Sequence, residues 1–193
     1  TYGGGSIKKN GVFDQVAQAL DGVSFIEFGG IEANPHFETL MKAVEIVKKE
    51  NINFILAVGG GSVIDGSKFI AAAARYPNDP WEIIQTYGAK VTAAVPLGCV
   101  LTLAATGSEM NNGAVITKAA TQDKLFFFSE HVQPRFSVLD PETTFSLPAR
   151  QTGNGVVDSF VHVVEQYVTY PVNAKVQDRF AEGLILNLLE DGP

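Results

Sequence analysis

The chain has 193 residues, of which 46% are hydrophobic and 18% are charged, as in an ordinary globular protein. The net charge of −7 argues against a nucleic-acid or membrane-surface partner, because phosphate groups are bound by basic clusters. Cys99 is the single cysteine, so no internal disulfide can form, and we expect a reducing, cytoplasmic location. No apolar run reaches the roughly 18 residues of a membrane span, and we expect no signal peptide.

Both ends of the chain are unusual for a natural protein. The chain opens at Thr1 without a methionine and enters a glycine turn by Gly3, although such turns usually follow a strand. It closes on Gly192-Pro193 directly after a helical pattern, which is compatible with a real boundary because Gly and Pro end helices. We expect a fragment that lacks its first strand.

Strands, glycine turns and helices alternate along the first half of the chain. Asn10 is a candidate cap for a helix whose apolar positions begin at Val12. The aromatic and β-branched residues 24–28 (SFIEF) predict a short strand, and a helix with an apolar face follows over 37–47. The apolar run 54–58 (FILAV) is typical of a parallel strand covered on both faces.

The pattern changes after the helix that follows this strand. Short strands are predicted between Thr92 and Asp140, either extending the sheet or forming a hairpin beside it, in the segments TAAVP (92–96), GAVITK (113–118), KLFFF (124–128) and FSVLD (136–140). Wide apolar faces over 156–167 and 174–189 then predict helices. We therefore expect an α/β domain over 1–147, with a parallel sheet, and a helical domain over 148–193.

Two glycine-rich stretches are candidates for phosphate binding. Gly3-Gly4-Gly5-Ser6 is followed by Lys8 and is equally compatible with a flexible terminal remnant. Gly59-Gly60-Gly61-Ser62 follows a buried strand and opens a helix, which favours a pyrophosphate site over a purely structural turn. It lacks both the G-x-G-x-x-G and the P-loop spacing.

Two further stretches are weaker when each is taken alone. Small hydroxyl residues surround a glycine over 102–109, which suits a cofactor loop, but composition alone favours a polar turn. Asp158 and His162 stand four apart on a predicted helix and so share a face, as metal ligands often do. An isolated pair of this kind is more often an ordinary Asp and His on one helix.

In their order and spacing, these stretches resemble the iron-containing (group III) alcohol dehydrogenases, in particular the NADP-dependent aldehyde reductase and butanol dehydrogenase branch. The matching segments are YGGGSIKK (2–9), EFGGIEANP (27–35), LAVGGGSVIDGSKFIA (56–71), LTLAATGSEMNNGAVIT (101–117), VLDPETTFSLPARQTGNGVVDSFVHVVEQY (138–167) and QDRFAEGLI (177–185). The resemblance implies a Rossmann-like parallel-sheet domain followed by the first helices of an all-α metal-binding domain, the dehydroquinate synthase-like fold.

Carried over residue by residue, the resemblance implies an NADP(H) site. Its residues would be Gly4, Ser6, Gly59, Gly60, Gly61, Ser62, Asp65, Thr102, Leu103, Thr106, Ser108, Asn111 and Lys124. Gly59 to Ser62 would hold the pyrophosphate, and Asp65, near the nicotinamide, would be the candidate proton relay. Members that prefer NAD often carry Asp where this chain has Ser6, and a carboxylate there would repel a 2′-phosphate. We therefore expect NADP rather than NAD.

The resemblance also implies that Asp158 and His162 are the first two ligands of a divalent metal, Fe²⁺ or Zn²⁺. The family's two other ligands are histidines that would lie beyond the end of this chain. The implied reaction is reversible reduction of aldehydes to primary alcohols by a complete, homodimeric protein, with the fragment itself inactive. The alternatives are a dinucleotide-binding module without turnover and a glycerol dehydrogenase or dehydroquinate synthase-like relative.

Overall fold

The computed structural model of the protein describes residues 1–169 and 172–192. The chain forms two compact units, Thr1–Phe145 and Ser146–Pro193. The elements of the first unit are α1 (Ser6–Lys9), α2 (Val12–Ala19), α3 (Phe37–Lys49), β1 (Ile55–Gly60), α4 (Gly61–Arg75), α5 (Trp81–Gln85), β2 (Leu97–Leu103), β3 (Gly113–Lys118), β4 (Asp123–Phe128) and β5 (Ser137–Leu139). Those of the second unit are α6 (Ala149–Thr169) and α7 (Lys175–Asp191). Within these described ranges, no helix has both the length and the apolar character that crossing a membrane demands.

The main sheet of the first unit is parallel and has the order β1-β2-β5. Ile55 pairs with Leu97, Val58 with Val100, and Tyr2 adds an isolated parallel bridge to Val58 on β1. The predicted strand at 54–58 is confirmed, one residue later and extended to Gly60. Its continuous apolar run reflects burial on both faces of the sheet.

Helix α4 is the most deeply buried helix of this unit. It contacts α3, β1 and β3, so that almost no part of its surface reaches solvent. The side chains of Ile64, Phe69 and Ile70 are fully buried. The small side chains of Ala71–Ala73, also fully buried, allow close packing against neighbouring elements. Consequently, groups carried by α4 are held rigidly relative to the sheet.

Helix α3 covers α4 with the apolar face predicted from the sequence. Leu40 and Val44 lie four residues apart on that face, and both are buried. Phe37, at the first position of α3, makes edge-to-face contacts with Phe69 and Trp81, with ring centroids 5.6 Å and 5.1 Å apart. Aromatic pairs in this geometry contribute more to stability than their buried area alone accounts for, and they help to fix the position of the helix.

Three of the four strands predicted in the middle region form, and together they take both of the places considered. β5 extends the parallel sheet, whereas β3 and β4 form a separate antiparallel hairpin. Phe127 of this hairpin is fully buried and lies edge-on to Phe69, with centroids 6.3 Å apart. Phe126 and Phe128 point to the other face and are exposed, as strand alternation requires.

Two strand predictions are wrong. Residues 24–28 form no strand: within this segment only Phe28 forms a backbone hydrogen bond to the start of the chain, its carbonyl oxygen accepting from Tyr2 N at 2.9 Å. Residues 92–96 also form no strand, because Val95 N donates to Ala71 O of α4 rather than to a sheet neighbour. β2 begins only at Leu97. A high β-propensity does not produce a strand where no ladder partner lies alongside.

The second unit is helical, and both helices predicted from the sequence are present. α6 extends beyond the predicted range at both ends, and α7 closely matches its prediction. Tyr167 Oη donates to Glu182 Oε1 at 3.0 Å and so links the two helices.

Gly88 brings the loop after α5 against the end of β4. Its φ is +84°, and a Cβ built on it would overlap the carbonyl oxygen of Phe128. Tyr87 O accepts from Phe128 N at 3.2 Å, which holds the two backbones together. Both the backbone conformation and the available space therefore require glycine at this position.

We predict that Gly88→Ala lowers the free energy of unfolding more than the matched substitution Gly22→Ala. Gly22 has a similar φ of +79°, but nothing lies within 4 Å of a Cβ built on it. Both variants should lose ~1 kcal/mol to the left-handed backbone. Overlap with Phe128 should cost Gly88→Ala about 1–3 kcal/mol more. Urea denaturation measures both, and equal losses would contradict the close backbone contact.

Candidate functional site

The glycine turn, Gly59-Gly60-Gly61, connects β1 to α4 and leaves no room for side chains. A Cβ built on Gly59 would lie 2.6 Å from Val63 Cγ2, and one built on Gly61 would overlap Thr106 Oγ1. None of the three has a positive φ, so space rather than backbone conformation requires glycine here. The main chain at the start of α4 is thus not covered by side chains of the turn.

The N-terminus of α4 has the properties of an anion site. The helix has 15 residues, no side chain caps its first turn, and that turn carries no acidic residue. Ser62 Oγ accepts from Asn34 N at 3.2 Å, so its hydroxyl is oriented by the neighbouring loop. Unpaired N–H groups and the positive end of the helix dipole favour a bound phosphate. The predicted pyrophosphate residues therefore lie together at this helix end.

The end of β2 and the loop that follows it, residues 104–112, lie against the glycine turn. A Cβ built on Gly60 would lie 3.1 Å from Leu103 Cβ, so the two segments are in tight contact. Thr106 Oγ1 accepts from Ser108 N at 3.3 Å, and the intervening Gly107 has a φ of +67°. The predicted residues Thr102, Leu103 and Thr106 are thus close to the glycine turn in the folded chain.

Lys68 is a residue of this region that the sequence analysis did not identify. Its side chain is fully buried. Its Nζ donates to Ser108 O at 2.7 Å, Ser108 Oγ at 3.0 Å, Asn111 Oδ1 at 2.9 Å and Gly113 O at 2.8 Å. The sequence held one signal, a lysine three residues after Asp65 in an otherwise apolar helix segment.

Asp65 binds the same loop with its carboxylate. Oδ1 accepts from Ser108 Oγ at 2.5 Å, and Oδ2 accepts from Val115 N at 2.9 Å. Burial raises the pKa of Asp65, and burial lowers the pKa of Lys68 to about 8. Asp65, Ser108 and Asn111 are therefore engaged in one internal network, and their direct contact with a cofactor remains a prediction.

The predicted residues near the start of the chain form a separate group. Gly4 and Ser6 are exposed at the beginning of α1. Lys8, two residues later, donates to Glu27 Oε2 at 2.6 Å and lies 4.5 Å from the centroid of the Phe13 ring. The hydrogen bond with Glu27 raises the pKa of Lys8 and lowers that of Glu27. The positive charge beside Ser6 is therefore largely neutralised by its partner.

Lys124 lies apart from the glycine turn in the sheet topology. It is exposed on β4 of the hairpin, opposite Thr117. A cavity of about 450 Å³ also lies elsewhere, among α2, residues 23–28, α3 and β1, and contains none of the predicted cofactor residues.

The predicted metal ligands Asp158 and His162 share one face of α6. Asp158 Oδ2 lies 3.7 Å from His162 Nε2, and both side chains are more than half exposed. Across residues 1–169 and 172–192, no cluster of three or more His, Cys, Asp or Glu side chains is arranged to hold a metal ion. A carboxylate and an imidazole suit Fe²⁺ and Zn²⁺ equally, so the pair fits half of a ligand set.

Residues 1–141 match the family model described as iron-containing alcohol dehydrogenase. The chain belongs to the iron-containing alcohol dehydrogenase family. It is 65% identical over 195 residues to the NADPH-dependent aldehyde reductase YqhD of Escherichia coli, in an alignment that covers 100% of this chain and 50% of the relative. It is 41% identical over 193 residues to NADH-dependent butanol dehydrogenase B of Clostridium acetobutylicum, covering 99% of this chain and 49% of the relative.

Solved structures of the family share the fold of this chain. The crystal structure of Escherichia coli YqhD matches it with a TM-score of 0.95 and 64% identity, over 100% of this chain and 50% of that one. NADH-dependent butanol dehydrogenase A of Thermotoga maritima matches with a TM-score of 0.89 and 41% identity. This match covers 98% of this chain and 48% of that one. The resemblance and the fold class are thus confirmed, and the chain spans about half the length of the curated relatives it matches.

The contact between Gly61 and Thr106 can be tested with a double-mutant cycle. We predict that Gly61→Ala destabilises the chain, because the new methyl group overlaps the Thr106 side chain. In a Thr106→Ala background the same substitution should cost about 1–2 kcal/mol less, since the overlapping atoms are gone. Urea denaturation of the four variants gives the coupling energy. Strictly additive losses would show that the loop does not rest on the turn.

Proposed function

We propose that this chain contains the dinucleotide site of a metal-dependent, NADP(H)-linked enzyme that reversibly reduces aldehydes to primary alcohols. The observation that carries the proposal is the glycine turn at the uncapped N-terminus of α4, against which the end of β2 and the loop at 104–112 are packed. The turn stands in a chain that is 65% identical to an NADPH-dependent aldehyde reductase. The unpaired N–H groups of a helix N-terminus without a side-chain cap can be satisfied by a phosphate ligand.

In the proposed complex, Gly59 to Ser62 bind the pyrophosphate through main-chain N–H groups. The absence of side chains lets the ligand approach the helix axis closely. Leu103 and Thr106 supply one wall of the site. Asp65 holds Ser108 and Val115, and it could relay a proton only by giving up one of these hydrogen bonds. Its proposed role is therefore mainly to orient the loop.

The metal is assigned to Asp158 and His162, which would supply two of its ligands. A divalent metal, when bound, acts as a Lewis acid that polarises the carbonyl oxygen of the aldehyde. The described residues bring no third protein ligand to the pair. We therefore propose that this chain by itself binds the dinucleotide without turnover. The choice between Fe²⁺ and Zn²⁺ and the homodimer remain predictions.

The preference for NADP(H) is proposed from Ser6. Relatives of this chain are named for both cofactors, so membership of the family does not decide the question. Because Lys8 is paired with Glu27, it contributes little net positive charge. The neutral side chain of Ser6, which does not repel a 2′-phosphate, is thus what supports a preference for NADP(H).

We predict that the chain binds NADPH more tightly than NADH in a fluorescence titration. Ser6→Asp should weaken NADPH binding about tenfold or more, corresponding to ~1.4 kcal/mol, because two negative charges then meet. NADH binding should not fall. Ser6→Asn is the matched control, with the shape of Asp but no charge. Tighter binding of NADH by the unsubstituted chain, or an equal loss with Ser6→Asn, would contradict the assignment.

We predict that Zn²⁺ binds this chain weakly and that binding depends on His162. Two protein ligands leave the coordination shell incomplete, so the affinity for Zn²⁺ should be low. Calorimetric titration should show binding lost in His162→Ala. Glu165→Ala is the control, since Glu165 Oε1 lies 3.7 Å from His162 Nδ1 without being a predicted ligand. Binding that persists in His162→Ala would remove the assignment.

A further inference from the structure

Lys68 is outside the predicted cofactor contacts, yet its contacts reach the loop that borders the glycine turn. We propose that Lys68 is a positioning residue: its buried ammonium group fixes residues 108–113 to α4 and thereby holds Thr106 over the glycine turn in the geometry that binds the dinucleotide. The inference rests on the proposed function, because binding of the dinucleotide is the property that this positioning serves.

The ammonium group of Lys68 is surrounded by hydrogen-bond acceptors of the loop. Lys68 Nζ lies 2.7–3.0 Å from four acceptor atoms, which belong to Ser108, Asn111 and Gly113. An ammonium group has three protons, so every proton is engaged and one is shared. Two of the acceptors are main-chain carbonyl oxygens, which ties the path of the loop itself to the helix. The Lys68 side chain thus binds both ends of the six-residue segment 108–113.

Residues 108–113 are in turn connected to the glycine turn through Thr106. Ser108 N donates to Thr106 Oγ1, and that oxygen occupies the space where Gly61 would carry a Cβ. Direct contacts therefore connect Lys68 to Ser108, Ser108 to Thr106, and Thr106 to the glycine turn. A shift of Ser108 away from α4 would therefore move the wall of the nucleotide site.

The charge state of the buried ammonium group depends on its electrostatic surroundings. The charged and titratable groups that act on it are Asp65 of α4, Glu109 of the 3₁₀ turn at 108–110 and Cys99 of β2. Burial lowers the pKa of Lys68 to about 8, and Asp65 opposes this shift. Lys68 is thus mostly protonated at neutral pH and loses its proton in an accessible range. The neutral amine keeps only two donors and loses its attraction to Asp65.

The test compares Lys68→Met with Lys48→Met, the same substitution at an exposed lysine of α3. Fluorescence titration with NADPH and calorimetry with inorganic pyrophosphate are done on both variants and on the unsubstituted chain at pH 7. We expect Lys68→Met to bind NADPH at least tenfold more weakly and pyrophosphate within twofold of the unsubstituted chain, because pyrophosphate needs only the helix N-terminus. Lys48→Met should bind both ligands normally.

Either of two results would overturn the inference: NADPH binding by Lys68→Met within twofold of normal, or equal losses of both ligands, which would indicate a general structural defect. An unsubstituted chain that is folded and binds neither ligand would instead refute the proposed function itself, and the inference with it. These failures are therefore distinguishable from the binding data alone.

If Lys68→Met does not fold, the unsubstituted chain still decides the matter through its pH profile. The affinity for NADPH should fall at least threefold between pH 7 and 9, with a midpoint near the Lys68 pKa of about 8. The 2′-phosphate, with a second pKa of about 6, is already ionised in this range. The amino terminus, whose pKa burial lowers to about 6, is also already neutral. An affinity that stays flat from pH 7 to 9 would overturn the inference.

Discussion

The contact between the glycine turn and the loop after β2 is the constraint on which the rest of the site depends. β1 and β2 are parallel neighbours, so their carboxyl ends meet at one edge of the sheet, with Gly59 opposite Leu101 and Gly60 opposite Leu103. The segments that follow must share this edge, and there is no space for a side chain between Gly61 and Thr106. A ligand at the N-terminus of α4 is therefore met by bare backbone on one side and by the loop on the other.

A buried pair of opposite charges keeps this arrangement in place. Asp65 and Lys68 stand three residues apart on α4 and bind the same loop through different atoms, one by accepting and one by donating hydrogen bonds. Removing either charge from water is costly, and burial shifts both pKa values toward the neutral forms. What compensates is that nearly every polar atom of the pair has a partner. Such a network favours one loop conformation over alternatives, which a site for a long dinucleotide requires.

The second unit carries a different kind of site. Asp158 and His162 are brought together by helical periodicity alone and are exposed on α6. They need no tertiary contact to be neighbours, so the sequence could place them on one helix face, and the family resemblance then made them candidate ligands. Tight metal binding needs further ligands from other segments, and the described residues do not provide them. The proposed metal site therefore rests on family membership, whereas the proposed nucleotide site also rests on contacts within this chain.

The sequence by itself determined the family, the parallel α/β class, the main helices and the glycine turn, because each depends on local periodicity or an ordered set of motifs. The strand at β1 was predictable because burial on both faces leaves a continuous apolar run. The strands expected at 24–28 and 92–96 do not form, because a strand exists only where a neighbouring segment forms a hydrogen-bonded ladder with it. Sequence patterns do not show whether such a neighbour is present. Only the tertiary structure identified Lys68. A lysine in sequence is expected to be solvated, and its burial here depends on acceptors that lie 40 to 45 residues further along the chain.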